Sequence, residues 1–411
     1  MGLKELFRRS RDAPGKRNMP DRLKDFITGV DDYQSANSGV FVDEQKAMQT
    51  SAVHACVKIL AETIASLPLH LYKTEKNMKV KAKEHPLYSC LYETPNSEMT
   101  SFQLREVMMT SLLLYGNAYA RKIVRHGHVE ELWYLKPQCM SVERDQTSGK
   151  IRYDYTDDST GKVYTYRPDQ IFHVKGLSYD GLKGISPIAQ AREAIGLALA
   201  TEEYGAKFFG NGARPGGVLE HPGILKDPEK LRESWNKVYQ GAKNSHKVAV
   251  LEEGMKYHSI GIAPEDAQFL ETRKYQVNEI CRIFRVPPHL VGDLERATFS
   301  NIEHQSIEFV QHTIRPWLVR WEQEIGRSLL SDTERQIYFA RFNVDGLLRG
   351  DFATRTQGYA TARQNGWLSV NDIRELEDLN PIPAEKGGDD YLVNGNMVSA
   401  KINNGGTDGK T

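Results

Sequence analysis

The chain has 411 residues, 39% hydrophobic and 26% charged, and its 54 Lys and Arg are balanced by 54 Asp and Glu. The length predicts two or three domains, and the composition an ordinary globular core. A formal net charge of zero argues against a protein that grips nucleic acid tightly, because phosphate binding needs clustered cations; a surface past which nucleic acid slides remains possible. Cys56, Cys90, Cys139 and Cys281 are scattered without a zinc-type spacing and read as buried free thiols in a reducing compartment. Met1 to Arg17 is basic and broken by Asp12 and Pro14, so no signal peptide is expected. Leu6 stands where myristoylation needs Ser or Thr, and no apolar run reaches membrane-spanning length.

Residues 1–45 are polar and irregular and read as a flexible arm, with order beginning near Ala47. Apolar positions Val53, Cys56, Val57, Leu60, Ala61 and Ile64 predict a helix over 51–66, and Leu67 to Tyr72 alternates like a strand. A second helix over 102–115 is stopped by Gly116-Asn117. Ala118 to Val124 and Val129 to Leu135 read as a hairpin through Arg125-His126-Gly127-His128. Further hairpins are signalled at Ser148-Gly149 and Ser159-Thr160-Gly161, and a strand at Ile171 to Val174. Ser186-Pro187 opens an Ala- and Gly-rich helix running to Phe209. A compact insert follows to Ile262, with strands near 213, 247–252 and 255–260 and a helix over 228–239. A near-heptad helix spans 264–285. Pro287-Pro288 ends it, and a polar hinge of about ten residues leads to a long helix from Asn301, kinked at Pro316. A strand at 337–344, short helices over 353–363 and 371–377, and a Gly- and Asn-rich tail complete an α+β chain.

Chemistry-bearing patterns are weak. There is no phosphate-cradling GxxxxGK[ST] and no HExxH, and Gly176 to Asp180 lacks the final glycine of a nucleophile elbow. His126 and His128 read as an exposed turn, because a metal site there needs further ligands the sequence does not suggest. Asp157-Asp158 reads as a solvated loop, His304 and Glu308 as an ordinary helix face, and Trp317 and Trp321 as core. No catalytic residue, cofactor or metal ligand is assigned. The helix pair 187–209 and 264–285 either packs into an ordinary core or leaves apolar surface that a ring of subunits would cover.

Several phrases follow one another in a specific order and spacing. They are Ser51 to Val57 through Leu67-Pro68-Leu69; His85-Pro86-Leu87-Tyr88 and Pro95-Asn96; Tyr115-Gly116-Asn117-Ala118-Tyr119; and Gly184-Ile185-Ser186-Pro187. Phe208 to Ala213, Val286-Pro287-Pro288, Asn301-Ile302-Glu303 and Leu348-Arg349-Gly350-Asp351 continue the series. Together they resemble phage portal proteins of the HK97 type, over about 47–383.

That resemblance implies a portal fold: an α/β wing (46–185 with 330–345), a two-helix stem (186–210 and 263–286), a small α/β clip (211–262), a tunnel loop (287–300), a kinked tunnel helix (301–330), a short helical crown (346–385) and a disordered tail (386–411). It implies a homo-oligomeric ring of about twelve subunits at one capsid vertex, assembled in the host bacterial cytoplasm and kept in the virion. Double-stranded DNA would pass through the channel. The terminase large subunit, the head–tail adaptor, and the major capsid or scaffold protein are the implied partners; no membrane is. Asp293, Leu294, Glu295, Arg296 and Thr298 are expected to face DNA. Ala191, Ile195, Ala198, Leu270, Val277 and Cys281 are expected to pack subunits, and Arg214, Glu220, Lys243 and Lys247 to meet clip partners. The competing expectation is a metal-dependent nuclease using dispersed carboxylates such as Asp180, Asp266, Asp293 and Asp351.

Overall fold

A computed structural model of the chain describes residues 36–75, 78–210, 217–224, 227–239, 251, 254–259, 266–294, 305–344, 347, 352–377 and 379–392. The chain divides into two compact units, Met1–Asn343 and Val344–Thr411.

The first unit begins earlier than the sequence suggests. Ala36 and Val42 are buried, and Asp43 caps a single helical turn, α1 (Glu44–Ala47), by accepting the Lys46 N–H. The reason lies far along the chain. A Cβ on Gly196 would stand 2.5 Å from Ala36 Cβ and 3.0 Å from Ser38 Oγ, so only glycine leaves room for this segment. The Asn37 N–H also donates to Glu193 at 3.0 Å. The flexible-arm expectation is therefore corrected for residues 36–45; residues 1–35 lie outside the described residues.

Helix α2 (Ser51–Ser66) buries the stripe its spacing predicts, Val53, Cys56, Val57, Leu60, Ala61 and Ile64. Each such aliphatic side chain contributes roughly 1.5–3 kcal/mol relative to exposure. Strands β1 (Leu69–Glu75) and β2 (Met78–Lys81) pair antiparallel. Helix α3 (Pro86–Tyr92) starts at His85, whose ring accepts the Leu87 N–H. Helix α4 (Ser101–Tyr115) opens on a capping box between Thr100 and Gln103 and stops at left-handed Gly116.

Strands β3 (Asn117–Arg125) and β4 (His128–Leu135) form a hairpin whose two turn residues, His126 and Gly127, have φ of 53° and 86°, the geometry of a tight right-twisted hairpin. Strands β5 (Met140–Arg144), β6 (Ile151–Thr156) and β7 (Val163–Tyr166) form a meander, and β8 (Ile171–Lys175) returns to pair with β3. The helix expected from Pro187 to Phe209 is broken at Ala191 into α5 (Pro187–Gln190) and α6 (Arg192–Gly210). Strand β9 (Gly217–Glu220), helix α7 (Pro228–Tyr239) and strand β10 (Lys256–Ser259) follow, with β9 and β10 antiparallel. The strand expected at 247–252 lies outside the described residues except for Leu251. Helix α8 (Asp266–Phe284) comes next, then a π-helical turn over Phe309–Ile314 that runs into α9 (Arg315–Ser328). Strand β11 (Tyr338–Phe342) pairs with β1, completing three three-stranded antiparallel sheets: β11–β1–β2, β4–β3–β8 and β5–β6–β7.

The π turn gives the expected kink its physical form. Pro316 has no N–H and its ring crowds the preceding turn, and the helix widens just before it, with the Arg315 N–H reaching back to Val310 O. Trp321 is core: its ring meets Phe172 edge-on at 5.9 Å, and its Nε1 lies 3.2 Å from Met109 Sδ. Buried Lys122 donates to Ser328 O at 2.7 Å and so satisfies a carbonyl at the end of α9.

In the second unit, α10 (Phe352–Gln364) and α11 (Val370–Leu376) are joined through Glu377, which accepts from the Tyr359 hydroxyl at 2.8 Å and pairs with Arg355 at 2.9 Å. Asn371 holds the following loop by accepting the Ile382 N–H and donating to Ile382 O. A Cβ on Gly388 would stand 2.3 Å from Ile382 O. The tail expectation is thus corrected for residues 386–392, which are held against α11 by the Gly388 carbonyl accepting the Asn371 N–H.

Candidate functional site

The end of α8 builds the most distinctive backbone geometry in the first unit. Arg285, a non-glycine, has φ of +56°, and its carbonyl accepts the Thr313 hydroxyl at 2.7 Å. The chain then passes through Pro287 into a 3-10 turn, Pro288–Val291, closed by left-handed Gly292 and by the Asp293 N–H donating to Pro288 O. An open cleft of about 1110 Å³ lies between this turn, α8 and the π turn, with Tyr275, Arg282, His289, Asp293, Glu308 and His312 on its walls. Among the described residues neither ring nitrogen of His289 has a hydrogen-bond partner, and both are buried.

Of the residues expected to face DNA, Asp293 is half-buried on the cleft and Leu294 is 62% exposed. Glu295, Arg296 and Thr298 lie outside the described residues. Of the clip residues, Glu220 is exposed and accepts from His258 at 2.8 Å across the β9–β10 pair. Arg214, Lys243 and Lys247 lie outside the described residues.

The subunit-packing expectation needs correction. Ala191, Ile195, Ala198 and Cys281 are buried within the chain itself and cannot also present a face to a second copy. Val277 is half-buried, and the Leu270 side chain lies outside the described residues. Helices α6 and α8 do pack as a pair, with Gln276 donating to the Thr201 hydroxyl at 2.9 Å. Among the described residues, their exposed large apolar side chains are Leu197, Tyr204 and Tyr275. Cys281 is used against α2: its thiol hydrogen-bonds Cys56, and that contact, together with burial, pushes the Cys56 thiol well up. Helical spacing marked these positions as apolar but could not say which copy covers them.

A second constellation joins residues that the sequence kept apart. His85, His128 and Glu334 meet with their ligand-capable atoms all within 4.8 Å of one another. His85 Nε2 lies 2.9 Å and His128 Nδ1 2.8 Å from the same carboxylate oxygen of Glu334. The other oxygen accepts the Ser331 N–H at 2.8 Å and the Ser331 hydroxyl at 2.7 Å. Burial opposes ionisation of Glu334, but these donors outweigh it and bring its carboxyl down to about 2. His128 read as a turn residue because its partners lie 43 residues before it and 206 after it, beyond the reach of any spacing rule. Among the described residues this is the one such group; Asp180 and Asp293, offered as nuclease carboxylates, take no part in it, and Asp351 lies outside the described residues. The Asp180 carboxylate accepts the Leu182 N–H at 2.7 Å and serves a turn.

A family profile described as phage portal protein matches residues 51–378. The chain belongs to the phage portal protein family. A probable portal protein of Streptomyces phage phiC31 is 37% identical over 372 residues, 87% of this chain and 80% of that one. The portal protein of Enterobacteria phage HK97 is 34% identical over 354 residues, 85% of this chain and 82% of that one. Among solved structures, the neck of a gene transfer agent particle superposes with TM-scores of 0.58 and 0.54 in its C6 and C12 forms. It is 26% and 25% identical and covers 83% of this chain and 95% and 94% of that one. As a portal-family member the chain is a structural protein and not an enzyme. No helix among the described residues is long and apolar enough to cross a membrane.

Proposed function

We propose that this chain forms a ring at one capsid vertex, through which double-stranded DNA enters during packaging and leaves during ejection. The observation that carries the reading is a family match running from α2 to the end of α11, 51–378, on a chain whose α6–α8 pair exposes apolar side chains. The necks to which it is similar were computed with cyclic symmetry, C12 for the native particle and C6 for the empty one. A closed ring is the arrangement that covers a repeated apolar face without leaving free ends.

In this reading 46–185 with 330–345 is the wing, α6 and α8 the stem, 211–262 the clip, 287–300 the tunnel loop, 301–330 the tunnel helix and 346–385 the crown. Leu197, Tyr204 and Tyr275 replace the buried residues as the subunit face. Asp293 and Leu294, with Glu295, Arg296 and Thr298 beyond them, face the channel. Asp293, Glu295 and Arg296 leave one net negative charge per subunit, so a duplex is held off the wall rather than gripped, and Arg296 makes only passing phosphate contacts. Glu220, with Arg214, Lys243 and Lys247, lies on the clip, which meets the terminase large subunit during filling and the head–tail adaptor afterwards. The wing meets capsid or scaffold protein. The ring is assembled in the bacterial cytoplasm and remains in the virion.

Negative-stain microscopy of the purified chain with a Leu197→Asp, Tyr275→Asp double variant tests the subunit face. Rings are expected for the parent. A folded monomer with an unchanged circular dichroism spectrum is expected for the variant, since both side chains are exposed. Rings formed equally well by the variant would remove this face from the interface.

A further inference from the structure

We propose that His85, His128 and Glu334 form a binding site for one first-row divalent transition-metal ion per chain, with zinc or nickel the best chemical match. Two imidazoles and a carboxylate are a ligand set that suits zinc, nickel and copper, whereas magnesium and calcium take oxygen donors. The three ligands come from three elements: the N-cap of α3, the first residue of β4, and the 3-10 turn Glu334–Gln336 that leads into β11. Their ligand atoms already converge within 4.8 Å. Metal–ligand bonds of about 2.0–2.2 Å set neighbouring ligand atoms roughly 3.3 Å apart, so the two 2.8–2.9 Å contacts to Glu334 would open by about half an ångström.

The surroundings resemble those of a site. The Glu334 carboxylate is aimed by two donors from Ser331 on its far oxygen, the kind of outer hydrogen bond that orients a ligating carboxylate. The carboxylate and His85 are largely enclosed, with side chains 14% and 7% exposed, while His128 is 40% exposed and leaves one side open for a water ligand.

In the empty site the His85 ring, whose Nδ1 accepts the Leu87 N–H, donates from Nε2 to Glu334. On binding, the facing nitrogen gives its lone pair to the ion and the proton passes through solvent to the far nitrogen. For His85 the far nitrogen is Nδ1, which accepts the Leu87 N–H at 3.1 Å. Once protonated, that nitrogen opposes the Leu87 donor, and the first turn of α3 loses its cap. The site therefore exchanges one helix cap for one ion, which limits its affinity and leaves a local signature at Leu87.

The test uses the full chain, stripped with a chelator and titrated calorimetrically with zinc chloride, and then with cobalt chloride for the visible spectrum. One ion per chain should bind and raise the thermal midpoint, reversibly with chelator. His128→Ala and Glu334→Gln should weaken binding by more than about tenfold. His126→Ala, on a side chain 91% exposed two residues from His128, should leave binding within about twofold. Amide exchange at Leu87 should speed up on loading while β4 and β11 slow down. Should the Glu334 variant not fold, His128→Gln and the wild-type titration still decide. An unmoved midpoint with no saturable binding would reduce the cluster to a hydrogen-bonded clamp. Binding that survives His128→Ala, or that follows His126, would place the ion elsewhere. Either result overturns the proposal.

Discussion

Arg105 shows how much one side chain can carry. Its guanidinium donates from Nε and one terminal nitrogen to Ala65 O at 3.2 and 2.8 Å, and from the other to Leu91 O at 3.0 Å. Those carbonyls lie in the last turns of α2 and α3, so a single buried cation satisfies two helix ends and complements both dipoles. Burial lowers its pKa to about 10, which leaves it charged at neutral pH. Arg105→Met should cost about 3 kcal/mol, because two buried carbonyls lose charged donors; a urea midpoint shift checks this. His173 sets a pH limit. It accepts from the Tyr153 hydroxyl at Nδ1 and donates from Nε2 to Asn117, a pattern only the neutral ring can make. Burial first, then Lys175 and Arg327, hold its pKa well below the usual 6.5. Below that value the unfolded chain binds a proton that the native state refuses, so stability falls as pH drops. His173→Gln should flatten the slope of stability against pH between about 7 and 5, whatever it costs in absolute stability.

At the scale of elements, several separated phrases prove to be one contact. A Cβ on Gly184 would stand 2.0 Å from Gly116 O, and one on Gly116 2.1 Å from Ile185 O. Asn117 closes the junction by donating to Gly184 O and accepting the Gly184 N–H, and Ser186 donates to Leu114 O. The sequence marks Gly116-Asn117 as a helix stop and Ser186-Pro187 as a helix start. It cannot show that the stop and the start lock together 67 residues apart. The same limit explains the N-terminal segment. Local polarity made 36–45 read as an arm, yet Gly196, inside the helix that Ser186-Pro187 opens, is the notch that receives Ala36. Gly196→Ala should therefore release this segment. Faster amide exchange over 36–48 and a loss of about 1–3 kcal/mol are expected, measured by hydrogen exchange and denaturation. Periodicity found α2, α4 and α8, and turn residues marked the β3–β4, β5–β6 and β6–β7 hairpins, because those signals are local; neither marked the β1–β2 hairpin or α3. Both missed the His85–His128–Glu334 meeting, which depends on β11 returning to β1, a pairing no local pattern encodes.

At the scale of the whole molecule, a ring multiplies each local charge. In the proposed ring, one net acidic charge per subunit would become a collar, and Asp293 and Glu295 would keep a duplex off the wall. Replacing both with Lys should turn sliding into gripping, because each added phosphate contact deepens binding and its salt dependence. Rings of normal size that package DNA poorly are the expected outcome, scored by packaged genome per particle. The central claim is the ring itself. The most direct measurement is electron microscopy of the chain purified alone and alongside its own capsid and scaffold proteins. The account predicts closed rings of about twelve copies with an open central channel, one per capsid vertex occupied. A chain that stays monomeric in both preparations, and is absent from filled particles, would contradict it.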